Sequence, residues 1–172
     1  SLCRCGVIGT VGCLLDGREL FKPNQTELFN MTTPDPPELY RILAQMADEG
    51  AEYVLMEVSS HALALEKVAP LSFEAAIFTN LTPEHLDFHK TMENYCDTKA
   101  QLFARCKKAV INADDAWSKR IAAMANCEVL YTSVKGNAPL QAEDIHLLAD
   151  GIRFNAVYGA ETVQVQLPIP GR

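Results

Sequence analysis

The chain predicts an α/β fold: a mostly parallel sheet with helices on both faces, followed by a small antiparallel β appendage at the C-terminus. Three observations carry that expectation. Short apolar runs, of the kind buried on both faces of a parallel sheet, alternate with amphipathic helical stretches. Successive runs end in polar residues, which suits a ligand crevice at the carboxyl ends of strands. From Glu143 onward the spacing changes to close-set strands separated by short turns, the pattern of antiparallel pairing.

The elements follow in order. Gly6 to Thr10 reads as a first strand, and Asp16-Gly17 marks a short hairpin. Pro36-Pro37 opens a helix with Leu39, Ile42, Leu43, Met46 and Ala47 on one face and Gly50 as its stop. Tyr53-Val54-Leu55-Met56 is an unbroken apolar run ending in Glu57, and Ala75-Ala76-Ile77-Phe78 repeats the pattern and delivers Thr79 and Asn80. Further strands are expected near 108–112 and 127–132, with helices near 60–66, 91–105 and 114–125. The tail reads as strands Ile145 to Leu148, Ile152 to Val157 and Thr162 to Leu167, with turns at Asp150-Gly151 and Tyr158 to Glu161. Residues 1–135 are thus expected to form the α/β core and 136–172 the appendage.

Composition narrows the classes. At 172 residues and 48% hydrophobic, the chain can bury one sizeable core. A formal net charge of −7 argues against nucleic acid, whose binding calls for a basic patch, but leaves anionic ligands open because a bound cation reverses the local field. There is no apolar run long enough to cross a membrane and no leader-like start. Cys3, Cys5, Cys13, Cys96, Cys106 and Cys127 lack zinc spacing, so free thiols in a reducing, cytoplasmic compartment are expected.

The candidate site residues lie at strand ends. An acid at the end of a strand, as Glu57 is, can hold Mg²⁺ directly or through water. His85 follows on a loop opened by Pro83. Lys99 falls on the apolar stripe of Met92, Tyr95, Leu102 and Phe103 in a helix capped by Thr91. A lysine in a low-dielectric place loses part of its preference for the charged form, and its neutral amine can react with CO₂ to give a carbamate, an oxygen ligand for a metal. The alternative is a snorkelling lysine whose stem covers the core while its head reaches water. His61 opens a helix after two serines and suits a cap, and His89 suits a residue that orients Asp87 or His85. Asn112-Ala113-Asp114-Asp115 joins a strand to a helix, where Asp is favoured by the helix dipole. Trp117 and Tyr131 read as packing residues and His146 as a surface residue.

In order and spacing, several segments resemble the central domain of the bacterial Mur ligases. They are Thr32-Thr33-Pro34-Asp35, Met56 to Leu63, Phe78-Thr79-Asn80-Leu81, His85 to His89, Lys99 and Asn112 to Asp115. The resemblance runs from Gly6 to Arg172 and is closest to the members that add the third residue of the peptidoglycan stem peptide. It implies an ATP-dependent acid–amino-acid ligase of cell-wall biosynthesis, a cytoplasmic monomer acting on UDP-N-acetylmuramoyl-dipeptide and an amino acid through an acyl phosphate. It implies a P-loop-type, Rossmann-like sheet, with Glu57 and His85 as ligands of Mg²⁺. Lys99 would be the carbamylated lysine that helps position a second Mg²⁺, making Lys99 and His85 the catalytic residues. Thr32, Thr33 and Ser59 would contact the UDP substrate, together with Lys67. The family usually has Arg where Lys67 stands, so the bidentate fork is lost there, and Gly is common where Lys90 stands.

Nothing in the chain matches Gly-x-x-x-x-Gly-Lys-Ser/Thr, the loop that cradles ATP phosphates. Gly6 to Thr10 resembles the strand that follows the P-loop helix in these ligases. The expectation is therefore a piece of a three-domain enzyme, lacking the first strand, the P-loop and the N-terminal UDP-binding and C-terminal ligase domains, and inactive by itself. Two alternatives are another ligase of the superfamily, such as a folylpolyglutamate synthase, and a binding module without turnover. Thr32-Thr33-Pro34 and Ser59-Ser60-His61 speak against the first of these.

Overall fold

A computed structural model describes residues 3–21, 32–136 and 138–169, so the Pro170-Gly171-Arg172 end lies outside the described residues. The chain divides into two compact units, Ser1–Pro70 and Leu71–Arg172, each with its own sheet.

The first unit holds β1 (Cys5–Gly9), β2 (Gly12–Leu15), β3 (Arg18–Phe21), α1 (Pro36–Asp48), β4 (Tyr53–Met56) and α2 (Ser60–Ala64). Its sheet has the order β3-β2-β1-β4, with β4 parallel to β1 and the other pairs antiparallel. The expected hairpin at Asp16-Gly17 is present, with φ of 50° and 78° at the two turn residues, the pattern of a type I′ turn. Helix α1 buries Leu39, Ile42 and Met46. It packs where β1 carries no side chain, since a Cβ on Gly6 would lie 2.6 Å from Met46 Sδ. The predicted stop operates through Gly50, whose φ is 84°: Gly50 N–H bonds Ala47 C=O and Ala51 N–H bonds Met46 C=O, closing a Schellman motif.

One expectation is corrected here. Tyr53-Val54-Leu55-Met56 does form a strand, but Tyr53 and Leu55 are exposed rather than covered. The reason is the face: the register pairs Tyr53 and Leu55 with Cys5 and Val7, on the side away from α1, whose Met46 packs over Gly6, and β4 is also the edge of its sheet.

The second unit holds β5 (Ala76–Phe78), α3 (Leu86–His89), α4 (Met92–Ala100), a 3₁₀ turn (Gln101–Arg105), β6 (Lys108–Asn112), α5 (Ser118–Ala122), β7 (Glu128–Ser133), β8 (Leu140–Leu148), β9 (Gly151–Tyr158) and β10 (Glu161–Leu167). Strands β5, β6, β7 and β8 run parallel, and β8, β9 and β10 form the predicted antiparallel meander. The core gathers Tyr95, Cys96, Ala100, Phe103 and Ile121 against Ala76, Phe78, Leu81, Ala109 and Ile111.

Three bounds differ from expectation. The helix through 91–105 tightens to 3₁₀ at Gln101, a common way to end a helix. Helix α5 starts at Ser118 rather than 114, because Asp115 Oδ1 accepts Trp117 N–H at 2.8 Å and Asn112 Oδ1 accepts Asp114 N–H at 3.0 Å, holding the segment in turns. Strand β8 begins at Leu140, where it pairs with the end of β7, so the appendage extends the parallel sheet. Its register breaks between Glu143 and His146, and Asp144 takes φ 50° there, which interrupts the strand pattern in the sequence. Among the described residues no helix is long and apolar enough to cross a membrane.

Candidate functional site

In the first unit the site is built on the carboxyl ends of two parallel strands. The ladder between β1 and β4 continues one step past Met56, through Glu57 N–H to Ile8 C=O at 2.9 Å. That step brings Glu57 beside the end of β1, where Gly9 and Thr10 stand. Glu57 Oε2 accepts Thr10 N–H at 3.1 Å and Thr10 Oγ1–H at 2.7 Å. A Cβ on Gly9 would lie 2.8 Å from Glu57 Cδ, so the bare glycine makes room for the carboxylate. Both bonds fall on Oε2 of an exposed side chain, which keeps the carboxylate in one place, with Oε1 lying over Gly9, 2.9 Å from where a Cβ would stand.

Beneath this carboxylate the threonines and Ser59 interlock. Thr33 is buried, its hydroxyl donates to Glu57 C=O at 2.9 Å, and it accepts Ser59 N–H at 3.0 Å. Ser59 Oγ accepts Ala62 N–H at 3.1 Å and so caps α2. Thr32 Oγ1 lies 3.2 Å from Thr10 Oγ1. Lys67 is buried, and its ammonium pairs with Asp35 at 2.7 Å, at the N-cap of α1. Thr32, Thr33, Ser59, Glu57 and Thr10 thus form one hydroxyl–carboxylate cluster. Thr10 was not singled out in the sequence; its only signal was its place at the end of a strand parallel to the one that ends in Glu57.

In the second unit His85, His89 and Lys99 surround the ring of Tyr95. His85 is exposed and adopts the left-handed conformation, φ 56° and ψ 26°, at the N-cap of α3, a backbone state in which a non-glycine residue is uncommon and which clusters at functional sites. Tyr95 is buried on α4. Its ring stacks on the His89 imidazole at 4.9 Å and meets His85 edge-on at 6.1 Å. Lys99 Nζ, one helical turn on, stands 5.7 Å from the Tyr95 centroid. Burial pushes the Lys99 ammonium below its ordinary range, with the Glu84 carboxylate pulling the other way, and burial raises the Tyr95 phenol. Lys99 is half-buried, as its place on the apolar stripe predicted. His89, expected to orient Asp87 or His85, stacks on Tyr95, and Tyr95, placed on the apolar stripe by the sequence, is the hub.

The strand ends around this ring are also tied. Asn112 Nδ2–H donates to Thr79 C=O at 2.7 Å, and Asp115 Oδ2 accepts Leu81 N–H at 3.0 Å, linking the ends of β5 and β6. Asp114 accepts Ser133 Oγ–H at 2.6 Å and Val134 N–H at 2.8 Å, and those bonds hold its carboxyl below the usual range.

Among the described residues no three His, Cys, Asp or Glu side chains gather into a ready-made metal cage. A single exposed carboxylate such as Glu57 fits magnesium, which keeps several waters and takes one or two carboxylates plus substrate phosphates.

Comparison with known proteins gives the family. Residues 2–172 match the family model described as Mur ligase middle domain. A UDP-N-acetylmuramoyl-L-alanyl-D-glutamate–2,6-diaminopimelate ligase of Clostridium botulinum is 36% identical over 169 residues, covering 98% of this chain and 34% of that protein. The ligase of the same description from Gloeobacter violaceus is 44% identical over 153 residues, covering 87% of this chain and 31% of its own length. A solved structure of another 2,6-diaminopimelate ligase superposes with a TM-score of 0.82 at 31% identity, covering 98% of this chain and 34% of that one. The chain therefore spans about a third of the length of these relatives. A match over nearly every residue, on a fold whose strand ends carry the expected side chains, means that the chain belongs to the Mur ligase family, as a middle domain.

Proposed function

We propose that the chain is the ATP-dependent middle domain of a ligase that adds the third amino acid to UDP-N-acetylmuramoyl-dipeptide in the bacterial cytoplasm. The observation that carries the proposal is the Glu57 carboxylate, fixed through one oxygen by Thr10 at the ends of two parallel strands. In this reading Glu57 and His85 are ligands of Mg²⁺, and Lys99, carbamylated, serves a second ion. When bound, magnesium neutralises charge on the phosphates during transfer. The chain's own residues bind and orient. Thr10 holds the Glu57 carboxylate in place, the buried Thr33 fixes the backbone of Glu57 and Ser59, and burial inclines Lys99 toward the neutral amine that carbamylation requires. Thr32, Thr33, Ser59 and Lys67 face the UDP substrate, with Lys67 supplying one charge already engaged by Asp35.

The test assays the longest polypeptide that carries these residues. Amide formation between UDP-N-acetylmuramoyl-dipeptide and diaminopimelate or lysine, coupled to ADP release, is expected. Glu57→Gln should lower kcat by about 10²-fold or more, the scale on which a lost charge-stabilising group acts. Turnover with a folate and glutamate instead, or full activity of Glu57→Gln, would overturn the reading.

A further inference from the structure

The cysteines play no part in the chemistry above, yet two of them meet. Cys106 Sγ and Cys127 Sγ lie 3.6 Å apart and both are half-buried. Cys106 precedes β6 and pairs with Phe73 in an isolated parallel bridge; Cys127 precedes β7. Strands β6 and β7 are adjacent and parallel, with Lys108 opposite Glu128, so both thiols sit at the amino ends of neighbouring strands. The carboxyl ends of the same strands are already joined by Asp114 to Ser133 and Val134.

We propose that Cys106 and Cys127 form a modification site, a dithiol that closes to an intrachain disulfide when a low-molecular-weight disulfide is supplied as oxidant. The sulfurs need to approach by only about 1.5 Å to reach bonding distance, within the reach of a χ1 rotation on two side chains at strand ends. The ring so formed encloses residues 107–126, that is β6, the Asp114-Asp115 turn and α5. It fastens at its amino edge a strand pair that hydrogen bonds hold at its carboxyl edge.

The step balances as two exchanges. One sulfur of the pair, losing its proton to solvent, attacks one sulfur of the reagent disulfide and expels one reagent thiolate, leaving a mixed disulfide. The other cysteine sulfur, also deprotonated, then attacks the protein sulfur of that mixed disulfide and expels the second reagent thiolate. Two S–H bonds are lost, one protein S–S bond is formed, and the two electrons reduce the reagent disulfide to two thiols. Burial, then the partner thiol, push Cys106 up to about 11, so its thiolate is scarce near neutrality and the exchange calls for mildly alkaline pH. Cys13 and Cys96 are fully buried, and burial raises both thiols, so they lie outside the reagent's reach.

The experiment treats the chain with excess oxidised glutathione at mildly alkaline pH. Remaining thiols are trapped with N-ethylmaleimide, and peptides are mapped by mass spectrometry before and after reduction. The expected product is a peptide pair linked through Cys106 and Cys127, released by dithiothreitol and formed at least roughly tenfold faster than any change at Cys13 or Cys96, as accessibility dictates. Cys106→Ser and Cys127→Ser should each abolish the link and leave a glutathione adduct on the remaining cysteine. Stable glutathione adducts on both residues without a link, no modification of either, or a link from either to Cys3 or Cys5 would overturn the proposal. The unsubstituted chain decides the matter alone if a variant fails to fold.

Discussion

Lys90 has a backbone that its side chain does not favour. Its φ and ψ are 69° and −41°, and Thr91 N–H bonds His89 C=O at 2.9 Å across it, which makes Lys90 the centre of a γ-turn of the strained, positive-φ hand. The turn sets the start of α4 and hence the placement of Tyr95 and Lys99 one and two turns later. Glycine accepts that conformation without a Cβ clash. Lys90→Gly is therefore expected to raise stability by about 1 kcal/mol, the lower part of the range for such strain after glycine's entropic cost. Urea denaturation checks the sign, and a loss of stability would show the turn to be relaxed. Tyr95 gives a second expectation. Tyr95→Phe keeps the ring against His89, His85 and Lys99, whereas Tyr95→Leu keeps bulk without the aromatic contacts. The leucine variant should be less stable than the phenylalanine variant by about 1 kcal/mol or more, since each aromatic pair adds about 0.5–1.5 kcal/mol beyond burial. Equal stability of the two would remove the ring from its central place. The sequence flagged Lys90 as standing in a glycine's place but not the turn it centres, and the spacing of Tyr95 and Lys99 gave their common face but not the approach of the two histidines.

At the scale of elements, the two helices of the first unit end in the same way with different residues. Helix α1 closes its Schellman motif through Gly50 at φ 84°, and α2 closes one through Glu66 at φ 54°, with Lys67 N–H to Ala62 C=O at 2.8 Å and Glu66 N–H to Leu63 C=O at 3.0 Å. Gly50→Ala is expected to cost about 1 kcal/mol, and Glu66→Gly to gain up to about 1 kcal/mol, because the left-handed state penalises any Cβ. Thermal melts of the two variants should move in opposite directions, and a common direction would refute the shared motif. Glycine made the first stop readable in the sequence; glutamate hid the second, although the helix itself was found. The join between β6 and β7 carries a pH expectation. The Ser133 hydroxyl and Val134 amide hold the Asp114 carboxyl below its ordinary value. A depressed folded value means that the contribution is complete above the ordinary carboxylate range and is lost as pH falls through the lowered one. Asp114→Asn should therefore flatten the acid limb of the stability–pH curve while changing its shape little near neutrality. An unchanged acid limb would count against the clamp.

For the whole molecule, alternation of apolar runs and helical stripes was enough to read the parallel strands, every helix but the short α3 and the antiparallel tail, because each burial pattern is local. What the pattern could not carry was cover. The apolar run of β4 looked like a strand buried on both faces, yet Tyr53 and Leu55 are exposed on the face away from α1, since what packs over a sheet face is chosen by topology and not by the strand's own residues. Ligand chemistry follows the same division. The places of Glu57 at a strand end and of Lys99 on a helix face could be read individually, whereas the hydroxyls of Thr10 and Thr33 that fix Glu57 and its backbone come from residues far apart in sequence. The last expectation rests on that difference between holding a metal ligand and holding a nucleotide. Affinity for ATP in such sheets comes chiefly from a glycine-rich loop whose amides and lysine surround the phosphates, and no stretch of these 172 residues has that motif. One exposed carboxylate and its hydroxyl neighbours offer a magnesium ion a place but give the phosphates no cradle. Calorimetry with Mg-ATP on a polypeptide of these residues alone should therefore detect no binding in the low-micromolar range. A Kd of that order would mean that the phosphates are held by groups other than a phosphate loop, with the amides and hydroxyls at the ends of β1 and β4 the first to be tested by Thr10→Ala.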